Sequence, residues 1–270
     1  MPAAGAWGRA CWPGYWVMAE VTLFVGPTAH GIVPKLLADD GLAWRPPAGR
    51  GDIDRLVGEQ ATPGVVVLCD GSFEATPAVS HAELCRAIDA GWQVWGVSSL
   101  GAIRAHELRG EGMQGFGYVY AQFSRYNDFT DDELCLLHLP GAPYEPVTEA
   151  LVNLRYALES QGAELGMPVS SQRAVVTELQ GLWFGDRTVE RIQQALVGTG
   201  GLPAGKAERL LAWLGAHRIK SIDLVRLLSV QPWAGAPNLE SAAPAPAHGP
   251  PASPRPRSSV RRTGRRQGPR

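Results

Sequence analysis

The sequence predicts an α/β fold, a doubly wound and mainly parallel sheet followed by a C-terminal helical annex. Three observations predict it. Apolar runs at residues 21–25, 64–69 and 92–97 lack polar alternation, as strands buried on both faces do. Amphipathic stretches with helical spacing separate them, as crossover connections between parallel strands require. Each run also ends in a polar turn containing Gly or Ser, where the chain must reverse.

The first run, 21–25, closes in Gly26-Pro27-Thr28, and residues 32–38 read as a helix. The second run, 64–69, closes in Asp70-Gly71-Ser72. A helix over 81–90 follows, with Leu84, Cys85 and Ile88 at helical spacing and Gly91 as its stop. The third run, 92–97, feeds into Ser98-Ser99-Leu100-Gly101 and a helix over 102–108. Past Gly115, the aromatic-rich segment 116–123 is predicted as a strand. Asp131-Asp132-Glu133 reads as the acidic first turn of a helix, where carboxylates suit the dipole. Pro146 followed by Val147, Leu151, Leu154 and Leu158 on one face predicts a helix over 146–160. Shorter helices are predicted at 175–179, 188–196, 206–214 and 220–228. The arrangement is Rossmann-like or flavodoxin-like, with a core over 21–160 and a helical annex over 161–234.

Charge narrows the class. The chain has 270 residues, 25 Lys+Arg against 26 Asp+Glu, and a net charge of −1. That total excludes a uniformly basic nucleic-acid binder, yet it is the sum of unlike parts. Residues 235–270 hold seven Arg, one acidic residue and eight of the 22 Pro. The remaining chain therefore carries about −7. Such a tail buries too little apolar surface to offset its chain entropy and is expected to be disordered. It reads either as an arm for an acidic partner or, preferred here, as a solvated tail. Residues 1–20 carry Trp7, Trp12 and Trp16 without periodicity, and Arg9, Pro13 and Gly14 interrupt any signal-peptide core. This extension is also expected to be disordered, and Met18 is an alternative start to Met1. No apolar run approaches the ~18 residues that span a bilayer. Four Cys without a CxxC pair make neither a zinc site nor a disulfide scaffold. A cytoplasmic protein with no metal and no cofactor is expected, with neither a membrane nor a nucleic acid as partner.

In an open parallel sheet, ligands sit at the carboxyl ends of the strands. The polar residues gather there: Gly26, Pro27, Asp70, Ser98, Ser99 and Gly101, with Arg50, Asp52 and His81 in neighbouring connections. Ser99 on a strand-to-helix turn resembles a nucleophile elbow, although the pattern is G-x-x-S-x-G rather than G-x-S-x-G. His81 would serve as its base and Asp70 would orient that base. The N–H groups of Leu100 and Gly101 would receive an oxyanion. The bland alternative is that Ser99 caps the helix. Arg104 reads either as a clamp on a carboxylate or as the partner of Glu107 one turn on. Gly26, Pro27, Arg50, Asp52, Ser98, Gly101 and Arg104 are the candidate substrate-binding residues. No GxGxxG or P-loop pattern argues for a nucleotide.

Several ordered motifs carry a resemblance. They are Leu23-Phe24-Val25-Gly26-Pro27, Pro46-Pro47-Ala48-Gly49-Arg50-Gly51-Asp52-Ile53, Asp70-Gly71-Ser72-Phe73 and Val79-Ser80-His81-Ala82-Glu83-Leu84. Gly96-Val97-Ser98-Ser99-Leu100-Gly101-Ala102-Ile103-Arg104-Ala105, Glu107-Leu108, Gly112-Met113 and Val152-Asn153-Leu154-Arg155 follow. Over residues 21–155, with a weaker echo at 220–228, the chain resembles the TfuA-like core domain. That resemblance implies a partner of a YcaO enzyme, which activates peptide backbone amides with ATP so that sulfur replaces oxygen. It implies a role in making a ribosomally produced, modified peptide, with sulfur released from the thiocarboxylate of a ubiquitin-like carrier protein. The precursor peptide would be met through the YcaO partner. Ser99 would attack or position water, His81 would carry the proton, and Arg104 would steer the thiocarboxylate. The alternative is a non-catalytic adaptor that binds and activates the YcaO enzyme.

Overall fold

A computed structural model describes residues 20–32, 41–72 and 77–234. The predicted helix at 32–38 lies outside the described residues except for Ile32, as do the tail and all of the N-terminal extension except Glu20. Five strands form one parallel sheet: β1 (Val21–Phe24), β2 (Leu42–Arg45), β3 (Val65–Leu68), β4 (Gln93–Val97) and β5 (Gln114–Phe116). Their order is β2-β1-β3-β4-β5. Val21 pairs with both Leu42 and Val65, and Val65 pairs with Gln93, so the register is continuous across the sheet.

The three predicted apolar strands are the three central ones. Alternate residues of β1 and β3 feed opposite cores, which is why the sequence shows no polar alternation. Phe24, Val66 and Leu68 join Ile53 and Leu56 of α1 (Asp52–Glu59), Leu84 of α2 (His81–Asp89) and Ile103 of α3 (Leu100–Glu107). Val21, Leu23, Val65 and Val67 face the other way. A third core lies between α5 (Leu151–Gln161), α6 (Val169–Gln180), α7 (Val189–Gly198) and α8 (Ala204–Ala216). The last helix, α9 (Ile219–Val230), returns to the sheet and covers its second face with Leu224, Leu227 and Leu228.

Residues 116–123 depart from the sequence reading. Only Phe116 belongs to a strand, and Gly117–Arg125 winds as helix α4. The carboxylate of Asp223 accepts the N–H groups of Tyr118 (3.0 Å) and Val119 (2.8 Å), satisfying two donors that a helix start leaves open. Aromatic content favoured a strand, but this distant cap decides for a helix. The acidic run opens a 3-10 turn, Asp131–Leu134. Helix α5 begins at Leu151 rather than Pro146 because the preceding segment pairs backward. Val147 N–H donates to Leu137 O (2.7 Å) and Leu139 N–H to Glu145 O (2.8 Å). Among the described residues, β2 and α1 are the strand and the α-helix for which the sequence reading has no element. β2 is a four-residue edge strand with a part-exposed Trp44, and α1 buries only Ile53 and Leu56.

Candidate functional site

The strand order reverses between β1 and β3, so the crevice of this fold opens over their carboxyl ends. Asp70 stands there, buried, and its carboxylate is fully engaged. Oδ2 accepts the N–H groups of Gly26 (2.8 Å) and Thr28 (3.0 Å), and Oδ1 accepts the Thr28 hydroxyl (2.7 Å). Asp70 thus ties the β1 turn to the β3 turn, and its hydrogen bonds do not reach His81. Gly26 has given its N–H to that clamp, and Pro27 has none to give.

The turn from β4 into α3 is the sharpest feature. Ser98 has φ +64 and is wholly buried, while Ser99 N–H donates to Val97 O at 2.8 Å. An i to i+2 bond around a residue of positive φ is a γ-turn of the rare, strained kind. Ser98 faces inward, its hydroxyl donating to Lys220 O (2.7 Å), so it is not ligand-facing as the sequence reading had it. Ser99 takes the N-cap position of α3, yet its hydroxyl caps no N–H and has no hydrogen-bond partner among the described residues. The Leu100 N–H is likewise unpaired there, whereas Gly101 N–H donates to Cys69 O (3.1 Å) and is not an open donor. Gly101 serves close packing instead. A Cβ on it would meet Leu68 O at 1.7 Å, and one on Gly96 would meet Gly101 O at 2.0 Å. Helix α3 therefore starts directly against the backbones of β3 and β4.

His81 opens α2, behind a Ser80–Glu83 capping box. Its Nε2 lies 2.7 Å from Glu107 Oε2, and its side chain is half exposed. No hydrogen bond joins it to Ser99 or Asp70 among the described residues, so the expected Asp–His–Ser relay is not formed. Glu107 also accepts Arg104 Nη1 (2.6 Å), and Arg104 Nε donates to Val79 O (2.9 Å). Burial would raise the Glu107 carboxyl, but the bonds and charges of His81 and Arg104 hold it below its ordinary value. Arg104 is the ion-pair partner of Glu107 and not an open clamp.

Arg50 differs. An open groove of about 470 Å³ is lined by Pro47, Gly49, Arg50, Asp52, Ser72 and Pro77. It borders the carboxyl end of β3, and residues 48 and 71 bridge beside it in parallel. Asp52 is occupied locally, accepting Gly49 N–H (2.8 Å) and Arg55 Nη1 (3.0 Å). The exposed Arg50 guanidinium has no ion pair among the described residues, which leaves one open cation at the groove.

Sequence reasoning missed Lys220, at the start of α9. It is buried, and its Nζ donates to Leu134 O (2.9 Å). Its N–H donates to Asn153 Oδ1 (3.2 Å), and Asn153 Nδ2 in turn donates to Glu149 Oε1 (2.7 Å). Arg218 Nε closes this chain on Glu149 Oε2 (2.8 Å). The only signal was the polar Asn153 on an otherwise apolar helix face. The thiols nearby are not activated: burial, with the charge of Asp70, pushes Cys69 well above its ordinary value, and burial pushes Cys135 up to about 11. Among the described residues no cluster of three His, Cys, Asp or Glu is placed to hold a metal, and no helix is long and apolar enough to cross a membrane.

These features define a doubly wound α/β protein with a cluster of mostly buried polar groups at the carboxyl ends of its parallel strands. Residues 70–188 match the family model of TfuA-like proteins, and over that span the chain is similar to that family. Partnership with a YcaO enzyme is the known context of that family. The match starts at Asp70 and runs past Arg155 to Thr188, so it takes in both the Ser98–Ser99 turn and the Asp131–Leu134 turn. No curated protein matches the chain.

Proposed function

We propose that the protein supplies sulfur to a YcaO enzyme that converts backbone amides of a ribosomally made peptide to thioamides. It does so by releasing sulfide from a thiocarboxylated, ubiquitin-like carrier. The observation that carries this reading is the uncommitted Ser99 hydroxyl beside the unpaired Leu100 N–H, at the carboxyl end of β4. Acyl transfer needs a nucleophile and a donor for the developing oxyanion, and this turn offers both.

The step balances without an added reagent. Ser99 Oγ attacks the thiocarboxylate carbon, and the C–S bond breaks. The hydroxyl proton leaves on sulfur, giving HS⁻ and an acyl-serine. Water then cleaves the ester, returning the serine and a carrier carboxylate and releasing one proton. Arg50 attracts the anionic end of the carrier into the groove over β3. A persulfide route is disfavoured, because the buried thiols are held in their unreactive protonated form.

Mixing the full chain with thiocarboxylated carrier, without the YcaO enzyme, tests the reading. Sulfide release that Ser99→Ala abolishes is expected. Sulfide or product only when the YcaO enzyme is added would instead make the protein an adaptor. Arg50→Glu is expected to raise KM for the carrier at least tenfold with little change in kcat, since it reverses a uniform binding contact.

A further inference from the structure

The β4–α3 turn is held in a conformation its own residues do not favour. A β-carbon makes positive φ costly, and Ser is not among the residues that tolerate it well. Yet Ser98 sits at φ +64, wholly buried, around the i to i+2 bond from Ser99 N–H to Val97 O. Such strain persists only where the surroundings over-determine it, and it concentrates where chemistry is done.

Two features over-determine this turn. From below, Gly96 and Gly101 let α3 start against the backbones of β3 and β4, so the chain must reverse within a residue or two of Val97. From the side, the Ser98 hydroxyl donates to Lys220 O at 2.7 Å, latching the turn to the start of α9. That end of α9 is itself fixed: Lys220 N–H by Asn153, Lys220 Nζ by Leu134 O, and the Ser221 hydroxyl by Thr28 O at 2.7 Å. Thr28 is in turn held by Asp70. The carboxyl ends of β1, β3 and β4 and the start of α9 thus form one hydrogen-bonded frame.

We infer that Ser98 is a positioning residue: its latch to Lys220 O keeps the strained turn in the shape that presents the Ser99 hydroxyl and the Leu100 N–H together. The inference rests on the reading of Ser99 as nucleophile and deepens it. Ser98 touches no substrate. It acts by holding the attacking atom and the oxyanion donor in fixed relation, and small misplacements of such pairs are costly to rate.

Ser98→Ala removes the latch and keeps the unfavourable β-carbon, so the turn relaxes. Ser98→Gly removes the latch but adopts positive φ without strain. Sulfide release from thiocarboxylated carrier is measured with the full chain, well below the unfolding midpoint of every variant. For Ser98→Ala, kcat is expected to fall about tenfold or more while KM changes less than about twofold, because only the placement of the reacting groups has changed. Ser98→Gly is expected to fall between Ala and wild type, and the rate of Ser99 labelling by a fluorophosphonate probe should follow the same order. If Ser98→Ala does not fold, the Gly variant alone carries the test. Unchanged kcat and labelling in a variant whose Ser99→Ala counterpart is dead would overturn the inference and leave the proposed function standing. Losses that merely track the folded fraction would overturn it as well. Full activity in Ser99→Ala would sink the proposed function and this inference with it.

Discussion

Asp70 holds Thr28 through both carboxylate oxygens, Oδ2 to the Thr28 N–H and Oδ1 to its hydroxyl. The same Oδ2 takes the Gly26 N–H, so three donors from one turn converge on a single buried carboxylate. That is the geometry of a structural clamp between β1 and β3. Asp70→Ala should therefore destabilise the protein by about 3 kcal/mol, because it strands buried donors. Thr28→Val leaves Oδ1 one donor short and should cost about 1–2 kcal/mol. Denaturant unfolding measures both. Loss of activity in Asp70→Ala without loss of stability would contradict the clamp and restore Asp70 to the chemistry.

The contact between α3 and the sheet leaves no room for side chains. Gly101→Ala places a Cβ 1.7 Å from where Leu68 O now stands, and backbone cannot rotate away. A clash of that depth with the central strand should cost more than about 3 kcal/mol, at the upper end of overpacking effects. Gly96→Ala is expected to behave alike, since its neighbour is also backbone, at 2.0 Å. Soluble yield and urea midpoint check this, with Gly58→Ala as a control whose Cβ meets nothing within 4 Å.

The central sheet was legible because Val21, Leu23, Val65 and Val67 alternate with Phe24, Val66 and Leu68 between two apolar cores, leaving unbroken apolar runs. β2 was not, since an edge strand of four residues with Trp44 part exposed carries no such run. Helix α4 was misread because Tyr118, Tyr120 and Phe123 favour strands locally, while the carboxylate that caps it is Asp223, about a hundred residues on. In the site, the polar strand ends were visible as turn sequences. What each side chain bonds to was not: Asp70 to Thr28, Ser98 to Lys220 and His81 to Glu107 are all pairings across the chain. Nor does any local pattern distinguish a buried lysine such as Lys220 from an exposed one at a helix start.

His81 shares Glu107 with Arg104 on the outside of α2 and α3. Exposed pairs of this kind contribute little, so His81→Ala should change stability by less than about 1 kcal/mol. Sulfide release should fall no more than about threefold, since no hydrogen bond links His81 to Ser99. The clearer readout is Glu107 itself. Its carboxyl is held low in part by His81, so removing the ring should move its titration upward toward the ordinary carboxylate range, as followed by carbon NMR of labelled Glu. A Glu107 titration unchanged in His81→Ala would refute the pairing, and a loss of release beyond tenfold would return His81 to catalysis.

Asp223 gives the fold a pH dependence of unusual sign. Burial pushes its carboxyl up to about 7, over the opposing pull of the Val119 and Tyr118 N–H groups and the charge of Arg226. In the unfolded chain an Asp titrates near ~3.9. Between roughly pH 4 and 7 the folded state therefore keeps a proton that the unfolded state has lost, and the unfolded state binds fewer protons. Stability contributed by this group is fully present below the unfolded value and falls as pH rises through that window. Above pH 7 both states are ionised and the dependence ends. The slope from one such proton is at most about 1.4 kcal/mol per pH unit. Urea unfolding at closely spaced pH values should show this decline, and Asp223→Asn, which cannot ionise, should be flatter by the same amount. The variant also forfeits one of two acceptors at the start of α4, so it should lie below wild type at low pH, where both side chains are neutral. Parallel curves for the two proteins would mean that Asp223 stays ionised throughout, held by Tyr118 and Val119 against its burial.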